Sequence, residues 1–207
     1  MEKLGATHQN LDQKVYEIVK KMIMERKLGP GEKILQDKLA HDLGVSRTPL
    51  VNALKMLEHE KLVMAIPRRG FFVRSFSKEE MVHIFELREV LEGLAARKAA
   101  TLITSTQIKK LKSFFQDVTI SDDPGELKQY ADEDRHFHNF LIEIGCGELL
   151  AGFLQTYNVI IYSYQYERQE GLVRTPKDTI HDHLEIIDAI CNRDPVKAEE
   201  VTRSEER

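Results

Sequence analysis

The chain has 207 residues, of which 42% are hydrophobic, and a formal net charge of −4. This length allows one or two domains with hydrophobic cores, and no apolar run reaches the length of a membrane span, so no membrane partner is expected. The charge is uneven, because residues 1–76 carry 14 lysines and arginines against 9 aspartates and glutamates, whereas the remainder carries 16 against 25.

The charge distribution indicates which partners the protein binds. The cysteines indicate the redox state of its compartment. A basic first third joined to an acidic remainder is typical of a DNA-binding head on a body that does not bind DNA. The two cysteines, Cys146 and Cys191, form no CxxC pair and are expected to be reduced. The first residues do not form a signal peptide, so we expect a cytoplasmic protein.

The first predicted elements are three helices. From Leu11 to about Leu28 the apolar positions follow helical spacing, and Gly29-Pro30-Gly31 ends that helix. Two shorter helical patterns then meet at Gly44, which suits the left-handed conformation that ends a helix. Ser46 is a good N-cap for the second of them, and Pro49 falls in its first turn. The segment is therefore predicted to be a helix-turn-helix.

The exposed side chains of the last of these three helices indicate the function of that helix. It carries Ser46, Arg47, Thr48, Val51, Asn52 and Lys55. Arginine can read guanine and asparagine can read adenine in the major groove, while hydroxyls and the helix N-terminus hold phosphates. An ordinary solvated helix hairpin would be the commoner explanation if this segment stood alone.

A basic hairpin follows the helix-turn-helix. Two short β-prone runs flank Pro67-Arg68-Arg69-Gly70, which predicts a tight turn with two arginines at its tip. A hairpin in this place is a wing, and its arginines would reach the adjacent minor groove or the backbone. The combination favours binding to double-stranded DNA over the solvated hairpin.

The remainder of the chain is predicted to be helical throughout. The helical patterns cover residues 77–100, 105–118, 126–144, 148–166, 177–191 and 196 to the end. We therefore predict a mainly α protein, with a winged helix-turn-helix domain of three helices plus a hairpin over 1–76. An all-helical bundle of about six helices follows over 77–207.

Three polar residues lie on helix faces that should be buried. Asp134 and His138 stand four residues apart in an apolar stripe, and His183 lies on the inner stripe of the penultimate helix. A buried carboxylate must be paired or bind something, and one carboxylate with two imidazoles suits Zn²⁺, Ni²⁺ or Mn²⁺. From spacing alone, an Asp134–His138 hydrogen bond beside an unrelated histidine is the commoner explanation.

Arg88 is a further polar residue beside an apolar helix face. It could form a structural ion pair with Glu92 one turn later, or it could clamp the carboxylate of a bound ligand. The residues alone leave both roles open.

The first third of the chain contains an ordered series of motifs, Leu28-Gly-Pro-Gly-Glu-Lys-Ile, Leu39-Ala-x-x-Leu-Gly-Val-Ser-Arg-Thr-Pro-Leu, Ala53-Leu-Lys-x-Leu-Glu and Arg69-Gly-Phe-Phe-Val. With these motifs it resembles the GntR family of bacterial winged-helix regulators. The resemblance implies a dimeric repressor or activator. Its DNA contacts would be Lys38, Ser46, Arg47, Thr48, Arg68, Arg69 and Gly70. The family usually carries Arg-Glu where this chain has Val51-Asn52, so the usual operator is not expected.

The body is similar to the FCD effector domain of the FadR-like GntR branch. The motifs are Phe85-Glu-Leu-Arg88-x-x-Leu-Glu92, Asp134-x-x-Phe137-His138 and His183-x-x-Ile186-Ile187. The resemblance implies a metal held by Asp134, His138, His183 and a histidine in the last helix, where this chain has Glu205. Glutamate can bind a metal but favours harder ions. The resemblance also implies that Arg88 faces a pocket for a small organic acid, which favours the clamp, so Arg88 is predicted to bind the effector.

These observations predict a homodimeric, ligand-responsive transcriptional regulator that is not an enzyme. The dimer would read a palindromic operator, one half-site per protomer, and an organic acid near the metal would control operator affinity. A metal-dependent hydrolase using Asp134, His138 and His183 is the alternative, but it lacks a clear general base and leaves the winged head unexplained. A third possibility is an architectural DNA binder with an inert body.

Overall fold

The structure, a computed structural model, describes residues 6–119, 123–165 and 174–205. The chain forms two compact units, Met1–Ser77 and Lys78–Arg207. The prediction of a mainly helical protein with a hairpin after the helix-turn-helix is confirmed.

The first unit contains three helices and a two-stranded antiparallel sheet. In chain order they are α1 (Ala6–Met24), α2 (Gln36–Asp42), α3 (Arg47–His59), β1 (Val63–Ile66) and β2 (Gly70–Val73). Helix α1 packs on α3, and the apolar stripe of α3 is fully buried at Leu50, Leu54 and Leu57. Lys20 of α1 forms an ion pair with Glu60 at the end of α3, with 2.8 Å between Nζ and Oε2. These contacts fix the orientation of α3.

The wing is a short hairpin with a third segment at its edge. Ile66 pairs with Gly70 next to the turn, and Val63 pairs with Val73 at the base. The Ile34 N–H donates to the Phe71 carbonyl at 2.9 Å, which ties the segment before α2 to the wing. Gly70 has a φ of 96°, a value that only glycine adopts without strain.

Within the described residues, the second unit contains five helices, one of them broken. They are α4 (Lys78–Leu102), α5 (Ser105–Leu111), α6 (Pro124–Gln165), α7 (Pro176–Cys191) and α8 (Pro195–Glu205). Gly147 has φ 66° and ψ 176°, so it divides α6 into two helical segments. The six predicted segments are therefore present.

The predicted length of the second body helix was wrong. The prediction ran from residue 105 to about 118, but α5 ends at Leu111 and turns follow. Phe115 lies in the left-handed region with a φ of 63°, and its N–H donates to Oε1 of Glu133 at 3.2 Å. The apolar spacing of this segment reflects burial of Phe114 and Phe115 in the core, which turns can achieve as well as a helix.

Helices α4 and α6 approach each other closely at one glycine. A Cβ atom added to Gly145 would lie 2.1 Å from the carbonyl oxygen of Ala95, which is backbone and cannot swing away. The long helix that carries Asp134 and His138 is therefore seated directly against α4. None of the described helices is both long and apolar enough to cross a membrane.

Replacing Gly145 by alanine should destabilise the helical unit by about 1–3 kcal/mol, because the added methyl group forces the two backbones apart. The free energy of unfolding from urea titrations checks this. Gly152→Ala is the matched control on the same helix, since an added Cβ there would meet nothing within 4 Å among the described residues. The control should be neutral or stabilising by up to about 1 kcal/mol; equal losses would contradict the close approach.

Candidate metal centre and DNA-facing surface

Three helices bring two carboxylates and two imidazoles to one point. Asp134 and His138 stand one turn apart on α6 and project from the same face. His183 comes from the middle of α7, and Glu205 is the last residue of α8. All four side chains are buried, and His183 is fully inaccessible.

The ligand atoms of the four residues converge within 4.8 Å of one another. Nε2 of His183 lies 2.8 Å from Oε1 of Glu205 and 3.2 Å from Oδ1 of Asp134. Nε2 of His138 lies 3.5 Å from the same Glu205 oxygen and 3.6 Å from the same Asp134 oxygen. The two Nε2 atoms are 3.3 Å apart. The structure thus brings together all four residues predicted to bind a metal.

Nδ1 of each imidazole, the ring nitrogen that does not face the cluster, contacts another side chain. Nδ1 of His138 donates to Oε2 of Glu92 at 2.5 Å. Nδ1 of His183 lies 3.0 Å from the hydroxyl of Tyr130, which also lies 2.6 Å from Oγ1 of Thr179. The Glu92 carboxylate accepts the Nδ1 proton of His138, so a neutral His138 keeps its lone pair on Nε2, the nitrogen that faces the centre. The Tyr130 hydroxyl holds the ring of His183 but can donate to or accept from its Nδ1.

Aromatic packing also holds the ring of His183. The ring of Phe115 stacks on it with centroids 4.7 Å apart and an angle of 5° between the planes. Phe137 meets the same ring edge-on at 5.1 Å. The left-handed backbone of Phe115 is thus part of the wall of the site, in keeping with the tendency of strained residues to lie at functional positions.

Arg88 forms an ion pair with Glu92. This ion pair was the alternative to a role in which Arg88 binds the carboxylate of a ligand. Its Nε donates to Oε1 of Glu92 at 2.8 Å, and both side chains are at least 95% buried. Burial alone would raise the pKa of Glu92, but the charges of Arg88 and His138 outweigh it and lower the pKa to about 2. Glu92 is therefore a carboxylate shared between a guanidinium and an imidazole.

The four central residues shift one another's pKa values in the directions that favour their charged forms. Burial opposes this, yet hydrogen bonds from His138 and His183 hold the pKa of Asp134 well below its usual range. The same two histidines lower the pKa of Glu205. Glu205 and Asp134 outweigh burial and raise the pKa of His183 to about 9, and Glu92 and Glu205 raise that of His138. The carboxylates thus favour positive charge on the imidazoles beside them.

Most residues predicted to contact DNA lie exposed on α3, on the N-terminal part of α2 or at the wing tip. The exposed residues are Lys38, Ser46, Arg47, Thr48, Lys55, Arg68 and Arg69, with Gly70 partly exposed. Arg47 lies 3.4 Å from Oδ1 of Asp37, but its side chain remains 63% exposed. Ser46 occupies the N-cap of α3, although its side chain makes no capping hydrogen bond to the described residues. The Ser46 hydroxyl therefore does not cap the backbone of α3.

Asn52 differs from the other predicted DNA contacts. It is half-buried, and its Nδ2 donates to Oδ2 of Asp12 on α1 at 2.9 Å. In this arrangement Asn52 ties α3 to α1 within the domain. A base contact by Asn52 would require that hydrogen bond to be exchanged.

Several residues that surround the Asp134, His138, His183 and Glu205 cluster were not identified from the sequence. They are Tyr130, Thr179, Phe115 and Arg174, the last of which holds the backbone of Glu205. Tyr130 could have been found, because it precedes Asp134 by one helical turn on the same face. Thr179 likewise precedes His183 by one turn of α7, whereas Phe115 and Arg174 lie outside the helices and no periodicity points to them.

A three-helix head with a wing, followed by a separate helical domain, is the architecture of a winged-helix DNA-binding protein. The model of the gntR family of bacterial regulatory proteins matches residues 11–73, and that of the FCD domain matches residues 83–204. The chain belongs to the GntR family, with an FCD domain after its winged helix. It is accordingly a DNA-binding transcriptional regulator.

Relatives and solved structures agree with this assignment. The chain is 25% identical over 186 residues to the HTH-type transcriptional repressor RspR of Escherichia coli K12, covering 90% of this chain and 81% of RspR. It is 34% identical over 123 residues to the Nta operon transcriptional regulator of Aminobacter aminovorans, covering 58% and 57%. The structure of E. coli McbR/YncC has the same fold, with a TM-score of 0.80 at 20% identity, covering 95% and 93%.

Replacing Glu92 by glutamine should destabilise the helical unit by about 3–5 kcal/mol, because it removes the buried negative charge that Arg88 and His138 share. The urea midpoint measured by circular dichroism in excess chelator checks this without a contribution from bound metal. Glu199→Gln is the control, since Glu199 pairs with the exposed Arg97 at 3.4 Å and should cost less than about 1 kcal/mol. Equal small losses in both variants would show that the buried pair contributes nothing.

Proposed function

We propose that this regulator binds a palindromic operator as a homodimer and that a small organic acid, bound at a metal in the FCD domain, controls its operator affinity. The observation that carries the proposal is the convergence of four buried metal-ligand atoms within 4.8 Å. A protein core does not hold such a cluster for stability alone, because apolar residues would fill the same space at lower cost.

The residues fit a divalent metal. Both imidazoles make a contact through Nδ1 and turn Nε2 toward the two carboxylates, and the ligand atoms of the four residues lie within 4.8 Å of one another. Without a cation, either a proton or a metal, these groups would repel one another. Asp134, His138, His183 and Glu205 would hold the ion, which when bound supplies a Lewis acid able to accept a carboxylate oxygen. Zn²⁺, Ni²⁺ and Mn²⁺ all suit such a mixed donor set.

A second buried group supports a polar ligand in the same domain. The side chain of Asn158 is 98% buried, and its Oδ1 has no hydrogen-bond partner among the described residues. Its Nδ2 lies 3.4 Å from Oδ1 of Asn139, the residue next to His138. A buried carbonyl of this kind is costly unless a donor reaches it, and a hydroxyl of a bound acid would satisfy it. An effector contact by Arg88 itself stays a prediction.

The DNA-binding side of the proposal rests on the exposed cations of α3 and the wing. Arg47 would read a base from the start of α3, and Arg68 and Arg69 would reach the groove or backbone beside it. Val51 offers only an apolar contact such as a thymine methyl. The similarity to RspR, which is named a repressor, favours repression.

Regulation would follow from differential binding. An acid that binds one arrangement of the dimer better than another shifts the population toward it, and operator affinity changes by the same coupling free energy. Gel shifts with candidate acids, on an operator selected from random duplexes, test this directly. Insensitivity of DNA binding to every acid, together with a metal-free protein, would favour an architectural DNA binder instead.

The variant Asp134→Ala should lose bound metal, because it removes one of two carboxylates from the centre. Elemental analysis of the protein after dialysis against each metal measures this, with Asp132→Ala as the control. Asp132 lies on the same helix, is half exposed and pairs with Arg135. Metal content that is unchanged in Asp134→Ala would remove the proposed site.

The variant Arg47→Ala should weaken binding to the selected operator by about 1–3 kcal/mol, since a bidentate base contact has this value. Binding to random DNA should change less. Lys27→Ala removes the same charge from the same domain, at a lysine already paired with Glu25 at 2.7 Å, and should leave operator binding nearly unchanged. An equal loss on operator and random DNA would make Arg47 a phosphate contact.

A further inference from the structure

We propose that Glu205 binds the metal through both of its carboxylate oxygens and thereby shifts the selectivity of the centre toward Mn²⁺, relative to ions that prefer nitrogen ligands. This inference rests on the metal site proposed above. It concerns which ion the site selects and which residue makes the selection.

The first argument is the position of the Glu205 carboxylate. Its Oε1 already faces both imidazoles, 2.8 Å from Nε2 of His183 and 3.5 Å from Nε2 of His138. Its Oε2 is buried and has no hydrogen-bond partner in the described part of the chain. A buried carboxylate oxygen without a partner is costly, and bidentate binding to the metal would use it. The buried, unpartnered Oε2 is therefore a second oxygen that the same side chain can offer to the metal.

The second argument is the resulting donor set. Two imidazole nitrogens, one Asp134 oxygen and two Glu205 oxygens make five donors, three of them oxygen. Structural and catalytic Zn²⁺ sites usually have four ligands, whereas Mn²⁺ accepts six with mainly oxygen donors. Five protein ligands leave one position of an octahedron for an oxygen of the effector. The two carboxylates also balance the charge of a divalent ion, which a single carboxylate would not.

The third argument is that the end of α8 is held in place. Arg174, just before α7, donates to the carbonyl oxygen of Glu205 at 3.2 Å and pairs with Asp182 at 2.6 Å. Its other terminal nitrogen donates to the carbonyl of Asp178 at 2.8 Å. Arg174 thus fastens the last turn of α8 to the helix that carries His183, and the Glu205 side chain is 6% exposed. A ligand near a helix end is well positioned here.

The test compares the full-length wild type with Glu205→His and Glu205→Gln after removal of metal. Mn²⁺ binding is followed by loss of the electron paramagnetic resonance signal of the free ion, and Ni²⁺ and Zn²⁺ binding by competition with a chromophoric chelator. We expect Glu205→His to lower the ratio of Mn²⁺ to Ni²⁺ affinity by about tenfold or more, and Glu205→Gln to weaken Mn²⁺ most. Glu200→His, on the exposed face of α8, is the control and should leave the ratio unchanged.

The possible outcomes distinguish a failure of the proposed metal site from a failure of the role proposed for Glu205. A wild type that binds none of the three ions would remove the metal site itself. A wild type that binds metal with a ratio unaltered in Glu205→His and Glu205→Gln would leave the site standing and overturn the role of Glu205. If Glu205→His does not fold, the Co²⁺ spectrum of the wild type decides. Weak visible bands are expected from five or six ligands, and the intense bands of a tetrahedral ion would overturn bidentate binding.

Discussion

The structure of the helical domain depends on the need to compensate carboxylates in a core that excludes water. Asp134, Glu205 and Glu92 are all buried, and a buried carboxylate is tolerated only with opposite charge and hydrogen bonds around it. Two imidazoles and one guanidinium supply these partners. Because each acid faces more than one cation or donor, the cluster acts as a unit, and its members cannot be exchanged singly without leaving a charge unpaired.

This cluster is also the point where the helices of the domain meet. The four central residues come from α6, α7 and α8, while α4 contributes the Arg88–Glu92 pair that orients His138. A change in what occupies the centre would therefore act on four helices at once. Packed helices respond to such a change by small rigid shifts, since a close approach such as that of Gly145 to Ala95 leaves no room for continuous deformation. The proposed effector response needs a coupling of this kind.

In the winged helix-turn-helix domain, by contrast, the local sequence determines most of the structure. Gly44 has a left-handed φ of 65°, Pro49 lies in the first turn of α3, and the Pro67–Gly70 turn forms the wing tip. Each of these features is set by the conformational limits of one or two residues, so the sequence was sufficient to predict them. The tertiary structure added the role of Asn52, whose side chain is used by Asp12 of α1.

For the body, periodicity alone determined the number of helices and the faces on which Asp134, His138 and His183 lie, because a helix places every fourth residue on one side. It could not decide whether those faces meet, nor choose between a clamp and an ion pair for Arg88. The tertiary structure brought His183 and Glu205 to the Asp134–His138 face, paired Arg88 with Glu92 and ended α5 early. These features depend on contacts between residues far apart in the chain, and helical spacing carries no information about which helices become neighbours.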